Sequence, residues 1–213
     1  MNRMTRPARL TETDEERFWR SLENADRFFM GEAKVQRALE KLVRTLDANR
    51  IPYAIVGAMA LNEFGYERIT VDVDVLLTPE GLTAFKTTNL GRGYVEKFTG
   101  SRGMRDTENG VDIDVVLTGS YPGDGRPKPV VFPDPEATAQ RGARIALLPL
   151  STLIELKLAS GMTAPHRLKD LADVLELIRV LKLPADRASD LNPYVREKYL
   201  ELWQAAQNQD PEP

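Results

Sequence analysis

Four aspartates fall in two short runs where polar and apolar residues alternate. From Arg68 to Leu77 the odd positions are Ile69, Val71, Val73, Val75 and Leu77, while Arg68, Thr70, Asp72 and Asp74 take even ones. From Val111 to Leu117, Asp112 and Asp114 alternate with Val111, Ile113 and Val115. Strand side chains point to opposite faces with period two, so each run should gather its carboxylates on one face and its apolar residues on the other. Like charges a few ångströms apart raise one another's pKa, and the arrangement is costly unless a cation compensates. The chain has no cysteine and one histidine, His166, so a metal would have to be held by carboxylate oxygens. That favours magnesium, manganese or calcium. Phosphoryl transfer is the chemistry that calls for such ions, because they bridge nucleotide phosphates, neutralise developing charge and activate an incoming hydroxyl.

The elements that must position these groups are legible as patterns. Thr13 and Glu16 could form a capping box opening a first helix, with Phe18, Leu22, Ala25 and Phe29 as its apolar stripe. A second helix is expected from about Glu32 to Asn49. It carries Val35, Leu39, Leu42 and Leu46 on one face and Lys34, Arg37, Lys41 and Arg44 on the other. That basic stripe reads as a solvated surface, with a contact strip for RNA or nucleotide as the lesser alternative. A short strand, Tyr53 to Val56, turns at Gly57 into a brief helix ending at Gly65. Strand, glycine turn and helix together make an N-terminal dipole site for anions. Thr78 and Pro79 open the next helix, and a weaker strand is expected near Tyr94 to Phe98. Asn109-Gly110 signals the turn into the second aspartate strand. Pro122 to Pro135 is rich in proline and glycine and reads as a long loop. After a strand at Ile145 to Leu148, helices are expected at about Thr152–Ser160, His166–Leu181 and Pro193–Gln207.

Composition sets outer limits. The chain has 213 residues, 42% of them hydrophobic and 29% charged, with a net charge of −3. This is ordinary globular composition and exerts no overall pull on nucleic acid. No apolar run reaches membrane-spanning length and no signal-peptide pattern is visible, so the expectation is a cytoplasmic protein without membrane contact.

Val56-Gly57-Ala58, thirteen further residues and then Asp72-Val73-Asp74 resemble the signature of the DNA polymerase β-type nucleotidyltransferase superfamily. The run Val56 to Leu61, then Gly65, Arg68, Thr70, Asp72 and Asp74, is similar to the branch of AbiEii-like toxins and minimal nucleotidyltransferases. Leu156-Lys157 and the run Arg167 to Asp173 also look like that branch. The resemblance implies an α+β (α/β two-layer) nucleotidyltransferase fold, a small mixed sheet flanked by helices with a helical C-terminal part. It implies a Mg2+- or Mn2+-dependent enzyme that moves a nucleoside monophosphate from a nucleoside triphosphate, such as ATP, to a hydroxyl of RNA, protein or a small molecule. Asp72, Asp74 and Asp114 would be the catalytic metal ligands, and Gly57, Ala58, Arg68, Thr70, Lys157 and Arg167 would contact the nucleotide. Where the family has a second Gly or a Ser, this chain has Ala58, which keeps the backbone N–H but supplies no hydroxyl. The alternative is an inactive protein of the same fold that binds a partner, such as one member of a toxin–antitoxin pair.

Parity cannot choose between Asp112 and Asp114. Asp114 lies deeper in its strand and is the expected third carboxylate, with Asp112 as a neighbour or outer ligand. Lys157 sits three after Ile154 and four after Leu153, flanked by Leu156 and Leu158. A lysine in that stripe either meets an anion, here the nucleotide phosphates, or lays its stem on apolar surface with its head in water. Lys169 and Asp173 are spaced for an i,i+4 surface ion pair. Arg167 and Asp170 would shape the pocket or pin the helical part to the sheet. Arg68 would contact phosphate or neutralise the acids, and His166 would be exposed at a helix start. The expected organisation is an N-terminal helical extension (1–30), a catalytic domain (31–148), a helical part (149–207) and a disordered tail (208–213).

Overall fold

The computed structural model describes residues 33–66, 68–142 and 144–208. The helix expected from Thr13, the 1–30 extension and most of the 208–213 tail lie outside these residues. The first described helix, α1, spans 33–48. It is followed by β1 (Ala54–Val56), α2 (Gly57–Glu63), β2 (Asp72–Leu77), α3 (Pro79–Asn89), β3 (Tyr94–Glu96), β4 (Met104–Asp106) and β5 (Val111–Leu117). Then come α4 (Pro135–Thr138), β6 (Gln140–Arg141), β7 (Ala146–Leu147), α5 (Leu150–Thr163), α6 (Leu168–Leu181) and α7 (Arg196–Gln207).

The strands form one mixed sheet in the order β3-β4-β5-β2-β1-β7-β6. The two aspartate strands lie side by side and parallel at its centre, Asp72 beside Asp112 and Asp74 beside Asp114. β1 runs antiparallel to β2 on the other side, Val56 opposite Asp74. Val73, Val75, Leu77, Ile113 and Val115 face a core completed by α1 (Leu39, Leu42, Leu46) and α3 (Leu82, Phe85). Ala54, Val56 and Leu76 face the opposite way, into a second core shared with α2, α5, α6 and α7. An α+β fold with a mixed sheet flanked by helices is therefore present. The alternation in β2 and β5 sends all four aspartates to the side of the C-terminal helices.

Local chemistry explains the ends. Thr78 Oγ1 accepts a hydrogen bond from Gly81 N–H at 3.0 Å, and Pro79 follows it, so α3 is capped as the sequence suggests. The strand expected over Arg68–Leu77 is shorter. β2 begins at Asp72, because Asp72 is the first residue to find a partner on β5. Ile69 and Val71, left unpaired, are 50% and 68% exposed and do not join the core. Several short elements escaped the sequence reading, among them β4, whose Met-Arg-Asp carries one apolar residue, α4, β6 and a 3-10 turn at Ala185–Asp190. The basic stripe of α1 is only partly solvated. Lys41 reaches across to fully buried Asp106 at 2.5 Å and to Glu108 at 3.1 Å.

Candidate nucleotide and metal site

β1 ends at Val56, and Gly57 turns the chain into α2 with φ +67°. A side chain there would be strained and also blocked, since a Cβ would lie 1.9 Å from Asp74 Oδ2. Asp74 thus packs directly on the turn, where α2 begins without a side-chain cap. Ala58 is buried and keeps its N–H in that first turn. Asp72 receives the Thr70 hydroxyl at 2.6 Å, so Thr70 orients a carboxylate. Among the described residues, no cationic side chain forms an ion pair with Asp72 or Asp74. Burial, with the charges of Asp72 and Asp114 beside it, pushes the Asp74 carboxyl up to about 6, while Lys157 and Arg167 pull the other way.

The second strand is more heavily compensated. Asp112 accepts from Arg105 at 2.6 Å and lies 3.2 Å from Lys97, and despite some desolvation these partners hold its carboxyl below the usual range. Asp114 lies 2.9 Å from Lys97 Nζ and is the more exposed of the two. Lys97, Arg105 and Gly103 were not singled out from sequence. Their partners are across strands, and a lone basic residue in a short hairpin gives no local signal.

Beside Asp74 opens a cleft of about 770 Å³, lined among others by Gly57, Arg102, Lys157, His166 and Arg167. Its roof is the loop after β5, which closes onto α5 at Gly123. A Cβ there would sit 2.3 Å from Thr163 Oγ1 and 2.7 Å from the Ser160 carbonyl oxygen. A larger hollow, about 1060 Å³, lies against α1 and α2 and contains none of the four aspartates.

The buried lysine meets an anion, but a protein one. Lys157 is 2.6 Å from Asp173 and 3.2 Å from Asp170, and all three residues are less than 9% exposed. Ser160 donates to Asp170 at 2.7 Å, and Arg167 approaches the same carboxylate at 2.7 Å. Although burial opposes it, Lys157, Ser160 and Arg167 hold the Asp170 carboxyl below its ordinary value. Arg68, expected at the four aspartates, instead binds Asp173 at 2.8 Å. The expected Lys169–Asp173 surface pair is absent: Lys169 is exposed, and Asp173 faces inward with Asp170, Val174, Leu177 and Ile178. The spacing 170, 173, 174, 177, 178 is one helix face, and that was the available signal. The network pins α5, α6 and the segment leading into Asp72 together. His166 is exposed in a 3-10 turn before α6, as expected.

Three acids from two adjacent strands offer the hard oxygen donors that a divalent cation takes. Among the described residues, no three Asp, Glu or His side chains already converge into a metal-binding group. Lys97 stands between Asp112 and Asp114 instead. The donor set therefore suits such an ion in chemistry, and among the described residues no cationic side chain pairs with Asp72 or Asp74.

No family model matches the chain, and no curated protein sequence does. Among solved structures the chain is similar to an antigenic nucleotidyltransferase-like protein from Paracoccidioides brasiliensis. The identity is 16%, the TM-score 0.46, and the match covers 68% of this chain and 76% of that one. It is also similar to ANT(2'')-Ia in complex with adenylyl-2''-tobramycin, at 11% identity and TM-score 0.49, covering 81% of this chain and 98% of that one. Likenesses of this strength carry no functional inference, which must come from the site. No helix among the described residues is long and apolar enough to cross a membrane.

Proposed function

We propose that this protein is a divalent-metal-dependent nucleotidyltransferase, moving a nucleoside monophosphate from a nucleoside triphosphate to a hydroxyl and releasing pyrophosphate. One observation carries the proposal: Asp72, Asp74 and Asp114 lie on adjacent parallel strands in register, with Asp74 seated against the glycine turn at the mouth of a cleft. The sequence resemblance, Val56-Gly57-Ala58 followed by Asp72-Val73-Asp74, agrees with it.

Asp72, Asp74 and Asp114 would hold magnesium or manganese, which when bound neutralises phosphate charge and lowers the pKa of the attacking hydroxyl. The chain's own contribution is placement. Thr70 fixes the Asp72 carboxylate, and Gly57 lets Asp74 approach the turn. Arg167, Arg102 and His166 line the cleft where phosphates would lie. Asp114, beside Asp74 in register, would orient the acceptor hydroxyl and draw its proton. Lys157 and Asp170 act as positioning residues, since Lys157 is held by Asp173 and Asp170, and Asp170 by Ser160 and Arg167 as well. Arg68 likewise holds the chain entering β2 rather than the nucleotide.

Calorimetry with each of the four triphosphates, with and without magnesium, tests the assignment. Magnesium-dependent binding that disappears in Asp74→Asn is the expected result. Absence of any metal-dependent binding would favour an inactive protein of this fold that engages a macromolecular partner.

A further inference from the structure

Lys97 belongs to none of the roles above, yet it occupies a built position. It begins the tip of the β3–β4 hairpin, its N–H bonded to the Gly103 carbonyl at 3.2 Å. That tip is held in place: Lys86 pairs with Glu96 at 2.6 Å and also donates to the Ser101 carbonyl, and Glu96 accepts from Gly100 N–H. From there the lysine stem crosses the neighbouring strand over Gly103. A Cβ on Gly103 would stand 2.8 Å from Lys97 Cδ and 3.3 Å from Asp114 Oδ1. Gly103 does not have a positive φ, so conformation alone does not call for glycine there. The bare backbone makes room for the stem. The ammonium then lies 2.9 Å from Asp114 and 3.2 Å from Asp112, while Arg105 takes the remaining side of Asp112.

We infer that Lys97 is a built-in counter-ion that holds Asp114 before a divalent cation binds and competes with that cation for the carboxylate. The inference rests on the proposed function, because it concerns how the proposed ligand set is kept when empty. An ammonium and a divalent ion held on one carboxylate repel each other and divide its charge, so the two compete for Asp114. Such competition sets a threshold for metal affinity, and it reserves the exposed third ligand without leaving three bare acids together.

Manganese binding without nucleotide, followed by the electron paramagnetic resonance of free Mn2+ at low ionic strength, separates the alternatives. Lys97→Met keeps the stem and removes the charge. It is expected to tighten Mn2+ binding about fivefold, the value of one partly exposed ion pair, with the gain shrinking in high salt. Lys97→Arg, which keeps the charge, is expected to stay near wild type, and circular dichroism checks that each variant is folded. If Lys97→Met binds Mn2+ no more tightly than wild type, while Asp74→Asn and Asp114→Asn bind it more weakly, the counter-ion role is wrong and the metal site stands. If Asp74→Asn and Asp114→Asn also leave Mn2+ binding unchanged, both fail.

Discussion

Asp74 Oδ2 lies where a β-carbon on residue 57 would have to be, at 1.9 Å, so this glycine and this carboxylate are tolerated only as a pair. The chain at Gly57 also has φ +67°, a conformation that costs an L-residue about 1–2 kcal/mol. Gly57→Ala should therefore lower stability by at least that amount in chemical denaturation, because the added Cβ also meets Asp74. It should also displace Asp74 and reduce nucleotidyl transfer by about a hundredfold or more, since small misplacements of reacting groups cost that much. A variant with wild-type activity would show that Asp74 does not need its seat on the turn.

Register separates the two acids of β5. Asp114 lies beside Asp74, whereas Asp112 lies beside Asp72 and is held by both Arg105 and Lys97. Asp114→Asn should lower turnover by about two orders of magnitude or more, the usual effect of losing a group that acts in the transition state. Asp112→Asn should lower it by about tenfold or less. Steady-state rates of the two variants check this, and the reverse order would reassign the third ligand.

How much of this was legible beforehand varies with the range of the interaction. The two aspartate strands were visible because alternation is a local pattern, and Thr78-Pro79 announced α3 for the same reason. The overextension of β2 to Arg68 had a tertiary cause: alternation continues through Val71, but β5 offers no partner before Asp112. For Lys157 the need for an anion was legible, and its source was not. Asp173 lies sixteen residues away on another helix, and Arg68 meets it across 105 residues of chain. Lys97 was invisible, because its meaning depends on Gly103 and Asp114 lying beneath it on neighbouring strands.

The buried network supplies a stability prediction. Lys157→Met would leave Asp170 to Arg167 and the Ser160 hydroxyl, and Asp173 to Arg68, with both arginines partly exposed. Breaking a buried pair by removing one partner costs about 3–5 kcal/mol, and the surviving arginines should keep the loss near the lower end. A urea midpoint unchanged from wild type would show that the lysine contributes nothing to the fold.

Asp106 predicts a pH dependence. Its side chain is fully buried. Although burial raises its pKa, Lys41, Asn109 and the Glu108 N–H outweigh that and hold it below the ordinary 3.8. A depressed folded-state value means that the stabilisation is present above the unfolded pKa and is lost as pH falls through the folded one. Wild type should therefore lose stability more steeply than Asp106→Asn as the pH drops below about 4, measured by denaturation across a pH series. Parallel curves would show that Asp106 is not a coupled ion-pair member.

The central claim is metal-dependent transfer from a triphosphate by Asp72, Asp74 and Asp114, and label transfer tests it most directly. The purified protein is incubated with each α-phosphate-labelled triphosphate and magnesium, together with total RNA, lysate protein or small-molecule hydroxyl acceptors. The expected result is label incorporated into one acceptor class, abolished by chelation of the metal and reduced by orders of magnitude in Asp74→Asn. Incorporation that survives chelation, or that Asp74→Asn performs as well as wild type, would contradict the account.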